Sequence, residues 1–509
     1  MQTLERFVSD RGQGPGRQEP DLPHPGMPGE AGLSSGRNSG SNPAIPVYAL
    51  LIGFLVMVAA LGMVGGGGAA RALFVVGCLG VAFQAYRTGG LPLHAEVCIV
   101  LFVFAALLRR MIDVRAGYDA SGMMLIGPLA AVVVVLPELQ RLLSRHAPPM
   151  QPLLPYMLMV GCVMYGWALS SFQGNLLESS IGAIKYIVPL LYCMCLILRP
   201  DQSDAVLKGA ARAFLVVSPL IGIYGVWQHL APLSWDQYWM VSSKIPSIGQ
   251  PFSGQVRVFS TMNSPVSFAA YATCGLLLFS FIPRSFIPPV LVPVVAILPL
   301  CLAILLTSVR TAWISAAVSL LFCLLYGRTR GRAGMLMVCL GLGIAFALLF
   351  TSFGDVISDR FATMDSSAAN DGSGNERMGD YIHVFSEDSR YIFGLGLAPV
   401  VGDSKMAALD GQVLMSAYQM GTTIGVLHLL CVVWAGVQGL LRLRRDEAPL
   451  RLVAGALVVG NLAILPLTAV TVGEIGFLFW MLVGILTIPV TRGAGVRQRY
   501  GSQIIQVPH

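Results

Sequence analysis

Charge is scarce in this sequence. Only 12% of its 509 residues are Asp, Glu, Lys or Arg, against about 25% in a typical soluble domain. Paired metal-binding cysteine motifs are missing too. The ten cysteines (Cys78, Cys98, Cys162, Cys193, Cys195, Cys274, Cys301, Cys323, Cys339 and Cys431) all lie inside apolar runs, and no CxxC pair is answered by a second. That placement excludes a disulfide frame or a metal site and reads as small, lipid-soluble filler. No nucleotide-binding fingerprint is present: Gly394-Leu395-Gly396 follows no strand, so it predicts a tight turn and nothing more.

What the chain has in quantity is apolar surface. Hydrophobic residues make up 55% of it, and the mean hydropathy is +0.71. Such a chain cannot cover itself with polar groups in water, so its solvent is lipid. The net charge of +7 would suit a nucleic-acid partner in a soluble protein. Here the basic residues sit in short loops between apolar runs, where they set topology, and no nucleic acid is expected.

A membrane span needs about 20 mostly apolar residues. Stretches that qualify are 47–64, 69–87, 91–108, 120–136, 153–171, 182–198, 210–229, 263–282, 286–307, 311–327, 332–350, 413–441, 450–470 and 473–490. The fold expected is therefore an all-α, polytopic helical bundle with roughly 12–14 transmembrane helices. Residues 1–46, rich in Gly, Pro, Ser and Arg, read as a disordered cytoplasmic tail and not as a signal peptide. The expected order is then helices over 47–350, a large external loop at 351–412, helices over 413–490 and a second cytoplasmic tail at 491–509.

The positive-inside rule orients the bundle. Arg328, Arg330 and Arg332, then the stretch from Arg442 to Arg451, then Arg492, Arg497 and Arg499 fall on one side, the cytoplasm. Loops 230–262 and 351–412 then lie outside. The larger carries ten acids and four bases, a net −6, as an external loop should. One segment conflicts: Arg109, Arg110 and Arg115 also fall outside. Either an early helix is miscounted, or these arginines are external for a reason.

Three segments carry candidate chemistry. Arg257 precedes the turn Asn263-Ser264-Pro265 that opens a helix. Arg310 lies in Thr307-Ser308-Val309-Arg310-Thr311-Ala312-Trp313, in a hairpin too short to take it far from the membrane surface. Arginine so close to hydrocarbon needs a partner or a wet cavity, the plain alternative being a snorkel at the interface. The large loop supplies Arg360, then Arg377 with Tyr381 four residues on, then Gly394-Leu395-Gly396.

Over residues 250 to 430, these segments in this order resemble the O-antigen ligase and bacterial polysaccharide polymerase superfamily. The Thr307–Trp313 stretch looks like that family's threonine/serine–arginine–alanine–tryptophan signature. The resemblance implies a GT-C-like membrane fold in the bacterial inner membrane, with short helices in the external loop and a site facing the periplasm. It implies a metal-independent, inverting glycosyltransferase without cofactor. Its substrate would be an undecaprenyl-diphosphate-linked oligosaccharide, and it would work beside a chain-length regulator and a flippase. Arg257 and Arg310 would hold the donor's diphosphate, as bidentate guanidiniums suit phosphate. Arg377, Tyr381 and Asn263 would contact substrate, joined by Arg109, Arg110 and Asp113 if their loop is external.

The chain departs from the ligases in one place. They carry a histidine just before the helix that follows the large loop, whereas this chain reads Ala408-Leu409-Asp410-Gly411-Gln412. The expectation is therefore a polymerase that passes a growing glycan to the next lipid-linked unit. The ligase is the alternative within the family, and a transporter or flippase the alternative outside it. Asp410 either acts as, or positions, the base for the acceptor hydroxyl, or it caps the helix beginning near Gln412. His383 reads as incidental, and Lys185 and Glu474 as structural.

Overall fold

The computed structural model describes residues 44–145, 150–281, 291–350, 379, 381–382, 390–398, 411–444 and 447–487. They form sixteen helices in chain order: α1 (Ala44–Met63), α2 (Gly67–Ala116), α3 (Ile126–Val133), α4 (Leu136–Arg145), α5 (Met150–Phe172), α6 (Leu176–Ile197), α7 (Ser203–Leu230), α8 (Ser234–Ser243), α9 (Pro265–Phe281), α10 (Leu291–Leu306), α11 (Arg310–Leu324), α12 (Gly327–Phe350), α13 (Arg390–Phe393), α14 (Gln412–Leu441), α15 (Pro449–Ala463) and α16 (Gly473–Leu486). Among the described residues no strand forms beyond one antiparallel bridge, Gly249 to Val256. Seven helical stretches are long and apolar enough to cross a membrane, and shorter apolar helices pack among them. The chain is an all-α, multi-pass membrane protein.

Lipid and protein faces separate cleanly. Helix α1 turns Ile52, Val56 and Met57 outward and Leu51, Phe54 and Val58 inward. Helix α16 is apolar all round, as a helix enclosed by others must be. Every one of its residues is buried except Glu474.

Helix α2 is a hairpin. A straight helix of its 50 residues would span about 75 Å, yet Arg71 Nη2 lies 2.7 Å from Asp113 Oδ1. The chain reverses at Gly90 (φ 64°, ψ −156°), a conformation open to glycine. Pro92 then begins the second arm, where a missing N–H costs nothing. The two arms match the separate spans expected at 69–87 and 91–108.

Helix α14 conceals a second reversal, and here the expected single span 413–441 needs correction. Gly421 (φ 82°, ψ 161°) breaks the helix. Ser416 Oγ lies 3.2 Å from His428 Nδ1, though twelve residues of straight helix would cover about 18 Å. Residues 412–420 are thus a short re-entrant arm packed against the long arm 422–441.

The expected span 450–470 also needs correction. Helix α15 stops at Ala463, and Ile464 to Val472 run irregularly before α16. Its 15 residues reach about 22 Å, short of a hydrocarbon core of about 30 Å. Irregular backbone at such depth survives only where protein satisfies it, and partners are found throughout. Leu465 O accepts from Gln412 N–H (2.9 Å). Pro466 O accepts from Tyr381 Oη (3.0 Å). Thr471 N–H and Oγ1 both donate to Gln412 Oε1 (3.2 and 2.7 Å), and Trp480 Nε1 donates to Thr471 O (3.3 Å).

Candidate functional site

One end of the bundle gathers the sequence-predicted residues. The loop after α7 folds on a small apolar nucleus of Trp239, Met240, Ile248, Val256 and Phe259. Gly249 (φ 84°) makes the tight crossing where a Cβ would fall 2.2 Å from Gln255 O. Gln228 Oε1 then accepts from Phe259 N–H (3.1 Å) and Ser260 N–H (2.7 Å), holding Ser260 at φ 49°.

Arg109 and Arg110 underpin this loop. Arg110 is 1% exposed. Its Nε pairs with Asp236 Oδ1 at 3.1 Å, its Nη1 donates to Met262 O at 2.8 Å and its Nη2 donates to Ser260 O. The Phe259 ring lies 4.7 Å from its guanidinium carbon. Arg109 Nε sits 3.5 Å from Asp113 Oδ2, Nη1 donates to Asn263 Oδ1 (3.4 Å) and Nη2 to Asp119 O. These arginines share an end with loop 230–262 because they bind it. Arg110 and Asp113, expected to contact substrate, are 1% and 0% exposed. Their polar atoms are turned to protein partners, and their role is to brace the loop from below.

Arg257 reaches the turn that precedes Arg310. Arg257 is half-buried and donates to Thr307 O (3.2 Å), Ser308 O (3.3 Å) and Ser247 O (2.7 Å). Val258 N–H adds a bond to Leu306 O (3.2 Å). A loop and a turn fifty residues apart are thereby clamped, and Arg310 stands at the first position of α11, two residues beyond the clamp. Ser308 takes φ 54°, a strained value for a residue with a Cβ, while Thr307 Oγ1 accepts from Val309 N–H (3.1 Å). Arg257 therefore shapes the turn that presents Arg310.

The broken segment lies against this corner. Thr468 Oγ1 donates to Thr311 Oγ1 at 3.1 Å. Val266, Val309, Thr311, Ala312, Thr468 and Ile475 line a cavity of about 20 Å³, room for a single water. Tyr381 Oη reaches Pro466 O, and its ring packs with Leu414, Tyr418 and Leu395. Arg377, Asp410, Arg360 and His383 lie outside the described residues. The N-cap of α14 is Gly411.

Gly394 (φ 80°) and Gly396 (φ 88°) take left-handed values in an irregular segment, and their use is structural. Leu395 N–H donates to Tyr418 O and Gly396 N–H to Gln419 O, both at 2.9 Å. These are the last carbonyls of the re-entrant arm, which a helix end otherwise leaves bare. A Cβ on Gly394 would fall 2.3 Å from Gly421 N, and one on Gly396 would fall 2.0 Å from Ser170 Oγ.

Sequence reasoning missed one polar group and read another as structural only. The first is the buried chain Thr471–Gln412–Ser416–His428, flanked by Tyr186, whose hydroxyl donates to Gln419 Oε1 (2.8 Å). The second is Glu474, with Ser267 Oγ donating to its Oε1 (2.6 Å) and Ser264 Oγ bonded to Ser267 Oγ (3.0 Å). The available signal was a polar residue inside an apolar run, which is costly in a membrane and therefore informative.

In the loop 117–122, burial raises the Asp119 carboxyl, but donation from Ser121 Oγ (2.5 Å), Ser121 N–H (3.0 Å) and Met123 N–H (3.2 Å) outweighs it. The net shift is below the ordinary aspartate value.

No protein-family model and no curated protein matches this chain.

Proposed function

We propose that this protein is a polysaccharide polymerase of GT-C-like architecture in the bacterial inner membrane. It transfers a glycan from undecaprenyl diphosphate onto the next lipid-linked repeat unit at the periplasmic face, in exopolysaccharide or O-antigen synthesis. The observation that carries the reading is the clamp of Arg257 on Thr307 O and Ser308 O. It brings the two arginine segments together at one end of the bundle, opposite the basic end where Arg199 pairs with Glu138 (3.0 Å) and Arg451 with Asp204 (3.2 Å).

In this reading Arg310 faces the donor diphosphate and neutralises the charge that grows as it leaves. Arg257 braces the turn and sits beside it. Asn263, Tyr381, Arg377 and Asp410 belong to the acceptor side. Arg109, Arg110 and Asp113 support the floor. No metal or cofactor enters.

The test is the glycan made by cells carrying Arg310→Ala, with Arg330→Ala, exposed in the opposite basic segment, as control. Loss of one such contact is expected to lower the rate by about 10²–10³-fold. Long polymer disappears, single repeats accumulate on lipid and the control is normal. Unchanged polymer in Arg310→Ala cells refutes the reading.

A second reading, a transporter, draws on the re-entrant arm of α14 and the break at Ile464–Val472, since transporters place broken helices around their sites. It requires that polymer length persist in Arg310→Ala cells while a solute or lipid pool changes sides.

A further inference from the structure

We propose that Glu474 is the general base of the transfer, taking the proton from the acceptor sugar's hydroxyl. The proposal rests on the polymerase reading above. Three observations place this carboxylate at the reacting corner.

First, α16 is enclosed on all sides, and Glu474 is its one residue that is not buried. A helix otherwise apolar to its last atom opens at a carboxylate. Second, the other acids of this end whose side chains are buried are bound to arginine: Asp113 to Arg71 and Arg109, and Asp236 to Arg110. Glu474 instead has a hydroxyl for a partner, Ser267 Oγ at 2.6 Å. A carboxylate locked to a guanidinium is committed to that partner, whereas one held by a single hydroxyl keeps acceptor positions for a ligand. Third, the segments that carry Glu474 and Arg310 meet at one small cavity. Val309, Thr311 and Ile475, the neighbours of the two residues in sequence, all line it. Tyr271 Oη, donating to Glu474 O (3.2 Å), and Gly473 (φ 61°) fix the direction in which the carboxylate leaves the helix.

The chemistry balances. The acceptor oxygen forms a bond to the donor's anomeric carbon, from the face opposite the diphosphate. Its proton passes to Glu474. The bond from carbon to the diphosphate oxygen breaks, and that oxygen keeps the electron pair beside Arg310. Glu474 returns its proton to solvent before the next cycle.

The experiment uses the full chain in nanodiscs, supplied with the undecaprenyl-diphosphate repeat units that accumulate in cells lacking the protein. Wild type must lengthen them; if it does not, the polymerase reading itself fails. Given an active wild type, Glu474→Gln is expected to lower kcat by about 10²–10⁴-fold, with KM for the lipid-linked donor changed less than threefold. Glu474→Asp retains more than a tenth of the rate. Glu474→Ala recovers turnover with added formate, which supplies a diffusible base and would not repair a packing defect. Size-exclusion elution like wild type establishes that each variant is folded. Full activity in Glu474→Gln overturns the proposal, as does a folded Glu474→Ala that formate leaves inactive.

Discussion

Replacing Arg110 with methionine tests whether the site end is held by buried charge. The substitution keeps an unbranched apolar stem and removes all of the donors. Asp236, fully buried, then keeps Tyr224 Oη (2.7 Å) but loses its cation. Met262 O and Ser260 O lose the guanidinium as well. Breaking a buried ion pair from one side costs about 3–5 kcal/mol, because the remaining charge has nowhere to go. That is roughly two to four powers of ten in the folding equilibrium. Removing both charges with Arg110→Met and Asp236→Leu leaves no buried ion, and such replacements are often neutral or stabilising. The double variant is therefore expected to be more stable than Arg110→Met alone, a coupling of at least about 2 kcal/mol. Unfolding in bicelles, followed by near-ultraviolet circular dichroism from Trp239, supplies the four corners of the cycle. Additive losses, or a cost below about 1 kcal/mol for Arg110→Met, would refute the argument that this pair organises the loop.

Other outcomes are expected. Gly421→Ala places a Cβ 2.3 Å from Ile392 O at φ 82° and should cost at least about 1–3 kcal/mol. Gly254→Ala, at φ 77° with open space around it, should cost less, and equal losses in a thermal-shift comparison would remove the close approach as the cause. Tyr381→Phe deletes the bond to Pro466 O and should cost about 0.5–1.5 kcal/mol, together with faster proteolysis of the large loop; unchanged cleavage rates would detach Tyr381 from the broken segment. The depressed Asp119 carboxyl stabilises loop 117–122 above the unfolded aspartate value of about 3.9, and that stability is lost as pH falls through the lower folded value. Asp119→Asn should abolish this acid-limb loss, read by hydrogen exchange at Ser121 and Met123.

Much of the architecture was legible in the sequence. Every stretch expected to be a span has a helix in it, because twenty apolar residues in lipid leave the backbone few alternatives. The α2 hairpin showed in Gly89-Gly90 followed by Pro92. The reversal at Gly421 did not, since hydropathy counts apolar residues whichever way the chain runs, and glycine is common inside membrane helices. Pro466 marked the end of α15, but the apolar run continued through it and hid the break. At the site, Arg257 and Arg310 were legible as arginines close to hydrocarbon. Their clamp was not, for it depends on carbonyls that no side-chain pattern encodes. Glu474 was seen and read as structural; only its place as the opening in a sealed helix sets it apart.

The tandem arginines also set a timetable for biogenesis. Asp113, one turn along the same helix, can neutralise Arg109 as soon as that helix is made. Arg110 must wait for Asp236, which leaves the ribosome about 126 residues later. At 5–20 residues per second this is roughly 6–25 s, during which the Arg110 guanidinium lacks its carboxylate. The early hairpin is thus incomplete until α8 arrives, and this end of the bundle can seal only after α7 and the loop that follows it have been made.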